Sequence, residues 1–388
     1  MKIVDISSVI VNARMRNWVF VKIQTDVAGL YGWGEATMEW KTRAVAACIE
    51  DLKPMLIGRD PTRIEFLWQI LYRHSYFRLG VIGMTAISGI EQACWDILGK
   101  SLGVPVYKLL GGRVRDKVRM YTHLGGGESK SVYESFDSGV VVDRALAVIA
   151  EGYSAVKVVF VPYSRPLEGL PAIKHFARLM EELRRAVGDD IDIMVDFHGR
   201  TTTGQAIEYI HAIEEFHPLF CEEPVPPEQP DALLEVRRSV RVPIATGERL
   251  VTRWEFRRVC ELQACHVLQP DLSHCGGLME AKKIASLGET YLMGIAPHNP
   301  NGPIANAVAL HFALSTPNFL IQEDMLGDVP WRFDVVQTNL SRERGYWLPP
   351  DTPGLGIDVD ERQAAKHPFE QEILQQMMFL EDGSVAEW

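Results

Sequence analysis

Residues 191–196 read IDIMVD, residues 219–222 read LFCE, and residues 242–248 read VPIATGE. Each segment is an apolar run that leads to an acidic residue, and Asp196, Glu222 and Glu248 are equally spaced along the chain. The interval between them holds one strand, one helix and two loops, which predicts successive βα units. In a parallel barrel the carboxyl ends of the strands meet at one mouth, so we expect the three carboxylates to converge there.

Three carboxylates at one mouth repel one another unless a cation neutralises them. Oxygen ligands favour Mg²⁺ or Mn²⁺, so the spacing predicts one Mg²⁺ in each subunit, with Mn²⁺ as a substitute. The alternative is that Asp196, Glu222 and Glu248 cap the helices that follow the strands. Capping explains one acidic strand end more easily than three in register.

Length and composition limit the function classes. The chain of 388 residues can hold a (β/α)₈ barrel and a second lobe. Its net charge of −11 argues against nucleic acid or an anionic membrane surface as a partner, but not against an anionic small molecule beside a bound cation. The sequence has no bilayer-spanning stretch, and its first residues resemble a strand rather than a signal peptide. Six cysteines without a CxxC pair are typical of the reduced cytoplasm.

The first 116 residues predict an α+β capping domain. Alternating patterns at 2–12, 18–25 and 29–35 predict three antiparallel strands. Helical periodicity follows at 42–56, 63–72 and 84–102.

Residues 117–325 predict the barrel domain. Strand patterns begin near Arg119, Ala155, Asp192, Leu219, Pro243, His266, Leu292 and Phe319. Helical patterns between them complete an α/β fold, a modified (β/α)₈ TIM barrel. The run 125–127 (GGG) lacks a dinucleotide-binding or P-loop pattern, so we expect a flexible loop at the barrel mouth. Residues 326–388 are predicted to pack back on the capping domain and complete it.

Further polar residues fall at predicted strand ends. His198 lies two positions after Asp196, and on an extended segment the two side chains would point the same way. Asp271, His298 and Glu323 end the last three strands, and Lys157 lies within the second. A carboxylate beside an imidazole raises its pKa, as a general base requires.

Each of these residues also has a structural interpretation. A lone histidine is often a helix cap or a satisfied core residue, and Asp271 could cap a turn. Lys157 could be a salt-bridge partner inside the barrel, and Glu323 a surface carboxylate. Their joint position on one rim favours a catalytic site, because a barrel interior is otherwise dominated by Val, Ile and Leu.

The chain resembles the enolase superfamily, in its mandelate racemase-like branch, and most of all the galactonate dehydratases and related acid-sugar dehydratases. The resemblance runs nearly end to end. Its motifs are DFHGR (196–200), EEPV (222–225), GER (247–249), LQPDLSH (268–274) and APH (296–298), with WGE (33–35), WDILGK (95–100), LLGG (109–112) and SVAEW (384–388) outside the barrel core.

The resemblance implies a role for each candidate residue. Asp196, Glu222 and Glu248 would be the Mg²⁺ ligands. His298, paired with Asp271, would remove the proton α to the substrate carboxylate. His198 would protonate the departing 3-hydroxyl, giving a 2-keto-3-deoxy acid. Glu323 would donate a hydrogen bond to the developing enediolate, which requires a raised pKa.

One departure from the family pattern concerns the second strand. Racemases and several dehydratases of this branch carry Lys-x-Lys there, whereas this chain has Lys157-Val158-Val159. One base and one acid suit elimination of water from a galactonate-like or gluconate-like acid. A racemase, epimerase or cycloisomerase remains an alternative, as does a metal-binding barrel without turnover.

The resemblance also favours a homo-oligomer, and it places specificity in loops of the first lobe. The candidate segments are 14–18 and 74–78.

Overall fold

The computed structural model describes residues 1–125, 138–161, 164–325, 327–372 and 379–387. It confirms the predicted fold class, an α/β barrel with an N-terminal α+β cap. Gly126 and Gly127 of the glycine run lie outside the described residues.

The cap begins with an antiparallel sheet of three strands in the order β1-β2-β3. These strands are Ile3–Ala13, Arg16–Thr25 and Tyr31–Glu35. The helices Thr42–Leu52, Ile64–His74, Gly80–Leu102 and Val106–Leu109 follow. The first helix ends before the predicted residue 56, because Pro54, which has no amide proton to donate, lies in a separate 3₁₀ turn, Lys53–Met55.

The barrel strands follow the predicted order. They are β4 (Val118–His123), β5 (Ala155–Val158), β6 (Asp192–Asp196), β7 (Phe220–Glu222), β8 (Ile244–Thr246), β9 (Val267–Leu268), β10 (Gly294–Ile295) and β11 (Gln322–Glu323). The helices of the barrel are Ser138–Ala150, Leu170–Val187, Thr203–His211, Pro230–Ser239, Thr252–Leu262, Leu278–Thr290 and Pro303–Leu314.

Parallel pairing closes the barrel and determines where the site lies along the barrel axis. Neighbouring strands from β4 to β10 are hydrogen-bonded in sequence order, and β11 returns to pair with β4. A bridge between Ile295 and Phe319 joins the last two strand regions. Each strand region contributes one apolar residue to an interior layer, namely Tyr121, Ala155, Met194, Phe220, Ala245, Val267, Ala296 and Ile321. The polar strand ends therefore lie above a filled core.

The tail contacts both lobes. Strands β12 (Val336–Thr338) and β15 (Ile357–Val359) pair with each other, and the Asp358 carboxylate accepts hydrogen bonds from Tyr31 and Trp33 of the cap. Strands β13 (Arg342–Glu343) and β14 (Tyr346–Trp347) form a hairpin on the barrel strand β4. A short helix, Glu361–Ala364, follows.

The seam between cap and barrel fixes the loop that carries His298. Glu35, which is fully buried at the end of β3, accepts hydrogen bonds from the backbone amides of Gly302 and Ala305 at 2.6 and 2.8 Å. A Cβ at Gly302 would lie 2.6 Å from the Glu35 carboxylate, so this contact requires glycine. The cap therefore holds the start of the helix that follows β10.

Candidate active site

The predicted residues meet around one cavity between cap and barrel. The barrel contributes nine of its lining residues, namely Pro300, Met325 and the polar residues His123, Lys157, Asp196, His198, Glu248, His298 and Glu323. The cap contributes Met15, Arg16 and Glu39. Glu222 and Asp271 are buried just behind this lining, Glu222 beside Asp196 on the neighbouring strand and Asp271 against the His298 ring.

The three equally spaced carboxylates converge as the spacing predicts. Asp196, Glu222 and Glu248 each offer an oxygen atom, and these atoms lie within 4.8 Å of one another. Register explains part of this arrangement, since Asp196 and Glu222 are direct partners across β6 and β7. Burial raises the pKa of Glu248 to about 7, and burial together with the Asp196 charge raises that of Glu222.

The donor set fits a hard divalent cation. All three ligand groups are carboxylates, and the Glu248 Oε2 atom is covered yet makes no hydrogen bond. This atom lies 3.3 Å from His298 Nε2, which is near enough for electrostatic attraction but is not a hydrogen bond. A covered, unsatisfied carboxylate oxygen beside two others is the kind of site that binds Mg²⁺.

Lys157 lies among the carboxylates rather than on the open rim. Its Nζ atom is 2.8 Å from Glu323, 3.1 Å from Glu222 and 3.3 Å from Asp196. Burial alone would lower the pKa of Lys157, but Glu222 and Glu323 outweigh it and raise this pKa well above its usual value. The lysine therefore stays charged and neutralises part of the cluster.

His298 and Asp271 form a hydrogen-bonded pair. His298 Nδ1 lies 2.9 Å from Asp271 Oδ2, and the other oxygen accepts from the Ser273 amide at 2.6 Å. Asn301 Nδ2 also donates to Oδ2, at 2.9 Å. The carboxylate thus fixes Nδ1 as the protonated nitrogen and leaves Nε2 toward Glu248. Burial would lower the pKa of His298, but Glu248 and Asp271 together raise it well above its usual value.

His198 is brought beside Asp196 by a turn, not by the extended segment that the sequence suggested. Its backbone is left-handed, with φ 49°, and its amide donates to Asp196 Oδ1 at 2.9 Å. The ring still lies close, with Nε2 3.3 Å from Asp196 Oδ2, and Arg200 lies 3.2 Å from Nδ1. Both His198 and His298 line the cavity.

Glu323 does not have the raised pKa that a hydrogen-bond donor role requires. Burial would raise its pKa, but Lys157 and His298 outweigh burial and lower it. Its oxygens accept from the lysine and from the Asn299 amide at 2.8 Å. In this arrangement Glu323 is an ionised acceptor.

Sequence reasoning missed His123 and Glu39 of the cavity lining, and it included Arg16 only within a longer segment. His123 ends β4, and the rule that found the other strand-end residues could have found it. From the cap, Arg16 donates to the Pro300 carbonyl and lies 2.8 Å from Glu39. Arg16 falls within the predicted specificity segment 14–18, whereas none of the lining residues found in the described chain comes from 74–78.

Two family descriptions cover most of the chain. Residues 6–111 match the mandelate racemase / muconate lactonizing enzyme N-terminal domain, and residues 140–363 match the enolase C-terminal domain-like family. The chain belongs to the enolase superfamily.

Curated relatives of this superfamily member align over almost its whole length. It is 40% identical over 378 residues to a protein named D-galactonate dehydratase from Ralstonia nicotianae, an alignment covering 96% of each chain. A protein of the same name from Cronobacter sakazakii is 39% identical over 378 residues, again covering 96% of each.

Solved superfamily structures agree with the fold. An enolase from Pantoea ananatis with bound D-gluconate and magnesium superposes with a TM-score of 0.88 at 32% identity, covering 100% of this chain and 99% of that one. A mandelate racemase/muconate lactonizing enzyme-like protein from a Roseovarius species gives 0.90 at 35% identity, with full coverage of both. Among the described residues, no helix combines the length and apolarity that crossing a bilayer demands.

Proposed function

We propose that this chain is a Mg²⁺-dependent acid-sugar dehydratase that converts a galactonate-like or gluconate-like acid to its 2-keto-3-deoxy acid. The main supporting observation is that His198 and His298 line one cavity together with Asp196 and Glu248, two of the three clustered carboxylates. Asp271 is hydrogen-bonded to His298 from behind. The two D-galactonate dehydratases and the D-gluconate-bound structure support the substrate class.

Asp196, Glu222 and Glu248 would hold the metal. When bound, Mg²⁺ would stabilise as a Lewis acid the second negative charge that builds on the substrate carboxylate as the α-proton leaves. Mn²⁺ offers the same charge and a similar preference for oxygen ligands. Lys157, charged and buried beside Glu222, would add a fixed positive charge near the reacting carboxylate.

His298 would take the α-proton at Nε2. The hydrogen bond from Nδ1 to Asp271 keeps the proton of the neutral ring away from Nε2, and it stabilises the imidazolium that forms. The ring must be neutral to act as a base. In the metal-free arrangement the charge of Glu248 raises the pKa of His298 and so favours the protonated ring. Neutralising the Glu248 charge would remove its contribution to the raised pKa of His298.

His198 would deliver a proton to the departing 3-hydroxyl. Its ring lines the cavity on the β6 side, whereas His298 follows β10. With Val159 in place of a second strand lysine, the chain supplies one base and one acid to the substrate. That set suits elimination more directly than racemisation, which needs a base on each face of the α-carbon.

Turnover of C4 to C6 aldonic and aldaric acids with Mg²⁺ tests the proposal. We expect at least one acid to give a 2-keto acid, detected as its semicarbazone, and EDTA to abolish this product. Deuterium entering otherwise unchanged substrate in D₂O, without keto acid, would favour the racemase alternative. Absence of both reactions with every acid would contradict an enzymatic role on these substrates.

Domain boundaries and assembly are also part of the proposal. We place the cap at 1–116, the barrel at 117–325 and the tail at 326–388, and we propose a homo-oligomer. Light scattering after size exclusion tests the assembly, and a mass of one chain would contradict it.

A further inference from the structure

His123 is a cavity residue without a role in the proposed mechanism. It is the last residue of β4 and pairs in register with Lys157 of β5. Its strand is the first of the barrel, whereas Glu248 follows the fifth strand, β8. In an eight-stranded barrel these strands are on opposite sides, so His123 lies across the cavity from Glu248 and beside Lys157.

The local backbone fixes which ring nitrogen of His123 carries the proton. The Gly125 amide lies 2.8 Å from His123 Nδ1. A backbone amide can only donate, so Nδ1 is the acceptor and the neutral ring carries its proton on Nε2. Burial, together with the Lys157 charge, lowers the pKa of His123 to about 3, and the ring stays neutral at physiological pH.

The Nε2–H group of His123 needs an acceptor of its own. Among residues that the structure describes, the ring makes no second hydrogen bond. Lys157, its neighbour on β5, is paired with the Glu323 carboxylate. A donor of this kind on a cavity wall is expected to find its acceptor in the bound ligand.

We propose that His123 is a substrate-binding residue that donates Nε2–H to a hydroxyl oxygen of a polyhydroxylated acid. A neutral donor suits a hydroxyl group, whereas the substrate carboxylate would be held at the proposed metal ligands Asp196, Glu222 and Glu248. His123 would thus favour acids with an oxygen at this position over acids that present a C–H bond there. This inference rests on the proposed function, because it assumes that the cavity binds a sugar acid.

His123→Phe and His123→Gln separate the hydrogen bond from the shape of the wall. Phenylalanine keeps a flat ring and removes the donor, whereas glutamine keeps an N–H group. The probes are D-galactonate, D-gluconate and the C4 to C6 aldonic acids, assayed with Mg²⁺. For the acid that wild type uses best, His123→Phe should lower kcat/KM by roughly 2- to 10-fold, as expected for one neutral hydrogen bond. His123→Gln should recover part of this loss.

Monodeoxy analogues of that acid identify the partner hydroxyl. For the analogue that lacks the partner hydroxyl, kcat/KM of wild type should fall by the same factor by which His123→Phe lowers it with the parent acid. In His123→Phe, kcat/KM should be the same for this analogue and for the parent acid. Calorimetric binding of the same acids to the Mg²⁺-loaded His298→Asn protein, with and without His123→Phe, should show the same pattern without turnover. Circular dichroism and Mg²⁺ affinity should match wild type in each His123 variant.

The outcomes separate the two proposals. Equal kcat/KM in wild type and His123→Phe, or losses that add for every analogue, would overturn the role of His123 while the dehydratase proposal stands. A wild-type protein that neither binds nor converts any of the acids would overturn both.

Discussion

Replacing Asp271 by Asn should disable the base while changing a single atom. Asp271 is 1% exposed, and its two oxygens accept from Ser273, His298 and Asn301. An asparagine side chain has only one oxygen. If that oxygen keeps the Ser273 amide, the new NH₂ group faces the nitrogens of His298 and Asn301, each 2.9 Å from the present oxygen.

A change of tautomer in His298 removes the unfavourable contact between two donors that face each other. His298 can move its proton from Nδ1 to Nε2, so that Nδ1 accepts from the new amide. Nε2 is the atom proposed to take the α-proton, so the base is then blocked. In the serine-protease triad, the same substitution behind a catalytic histidine costs about 10⁴ in rate, and we expect a loss of similar size here. An unsatisfied buried group would add about 1–3 kcal/mol of lost stability.

The assay is exchange of the α-proton in D₂O, followed by NMR with the acid that wild type converts best. Long-range ¹H–¹⁵N spectra of labelled histidine report the tautomer of His298 directly. The control is Asp96→Asn in the cap, where a buried carboxylate likewise accepts backbone hydrogen bonds, from Trp33 and Leu355. Asp96→Asn should lose stability without losing exchange. Wild-type exchange in Asp271→Asn, with Nδ1 still protonated, would refute the reasoning.

Three further outcomes follow from the site. His298→Asn should lose at least 10² to 10⁴ in rate, about the usual contribution of a general base, together with α-proton exchange; persistent exchange would assign the base elsewhere. Glu248→Gln should weaken Mg²⁺ binding in calorimetry with unchanged circular dichroism, and unaltered affinity would remove Glu248 from the ligand set. Lys157→Met should destabilise the metal-free protein by about 3–5 kcal/mol, because it leaves buried carboxylates unpaired. Mg²⁺ should restore part of this stability in denaturation curves, and equal loss with and without Mg²⁺ would contradict the account.

The fold was predictable from the sequence where one hydrophobic periodicity extends through a whole helix or strand. Helices such as Ile64–His74 and strands such as Tyr31–Glu35 lie close to their predicted bounds. The tail hairpin Arg342–Trp347 was not predicted, because its two-residue strands are too short to show alternation. Pairing with β4, a contact between distant parts of the chain, defines it.

The site was predictable to the extent that strand ends share one rim. This rule, with the family resemblance, placed Asp196 and His298 at the cavity. It could not supply the left-handed turn at His198 or the ionised state of Glu323, since both depend on neighbours distant in sequence or on backbone geometry. Contributions from the cap, such as Arg16, depend on how the two lobes pack.

Proton exchange in His198→Asn is the most direct test of the proposed roles of the two histidines, His298 as the base and His198 as the acid. The measurement follows deuterium at C2 of the substrate and keto-acid product in parallel, in D₂O with Mg²⁺. If His298 removes the α-proton and His198 serves the leaving hydroxyl, the variant should return substrate labelled at C2 while forming little 2-keto-3-deoxy acid. Product formation at the wild-type rate, or loss of both exchange and product in a variant that still binds Mg²⁺, would contradict this assignment.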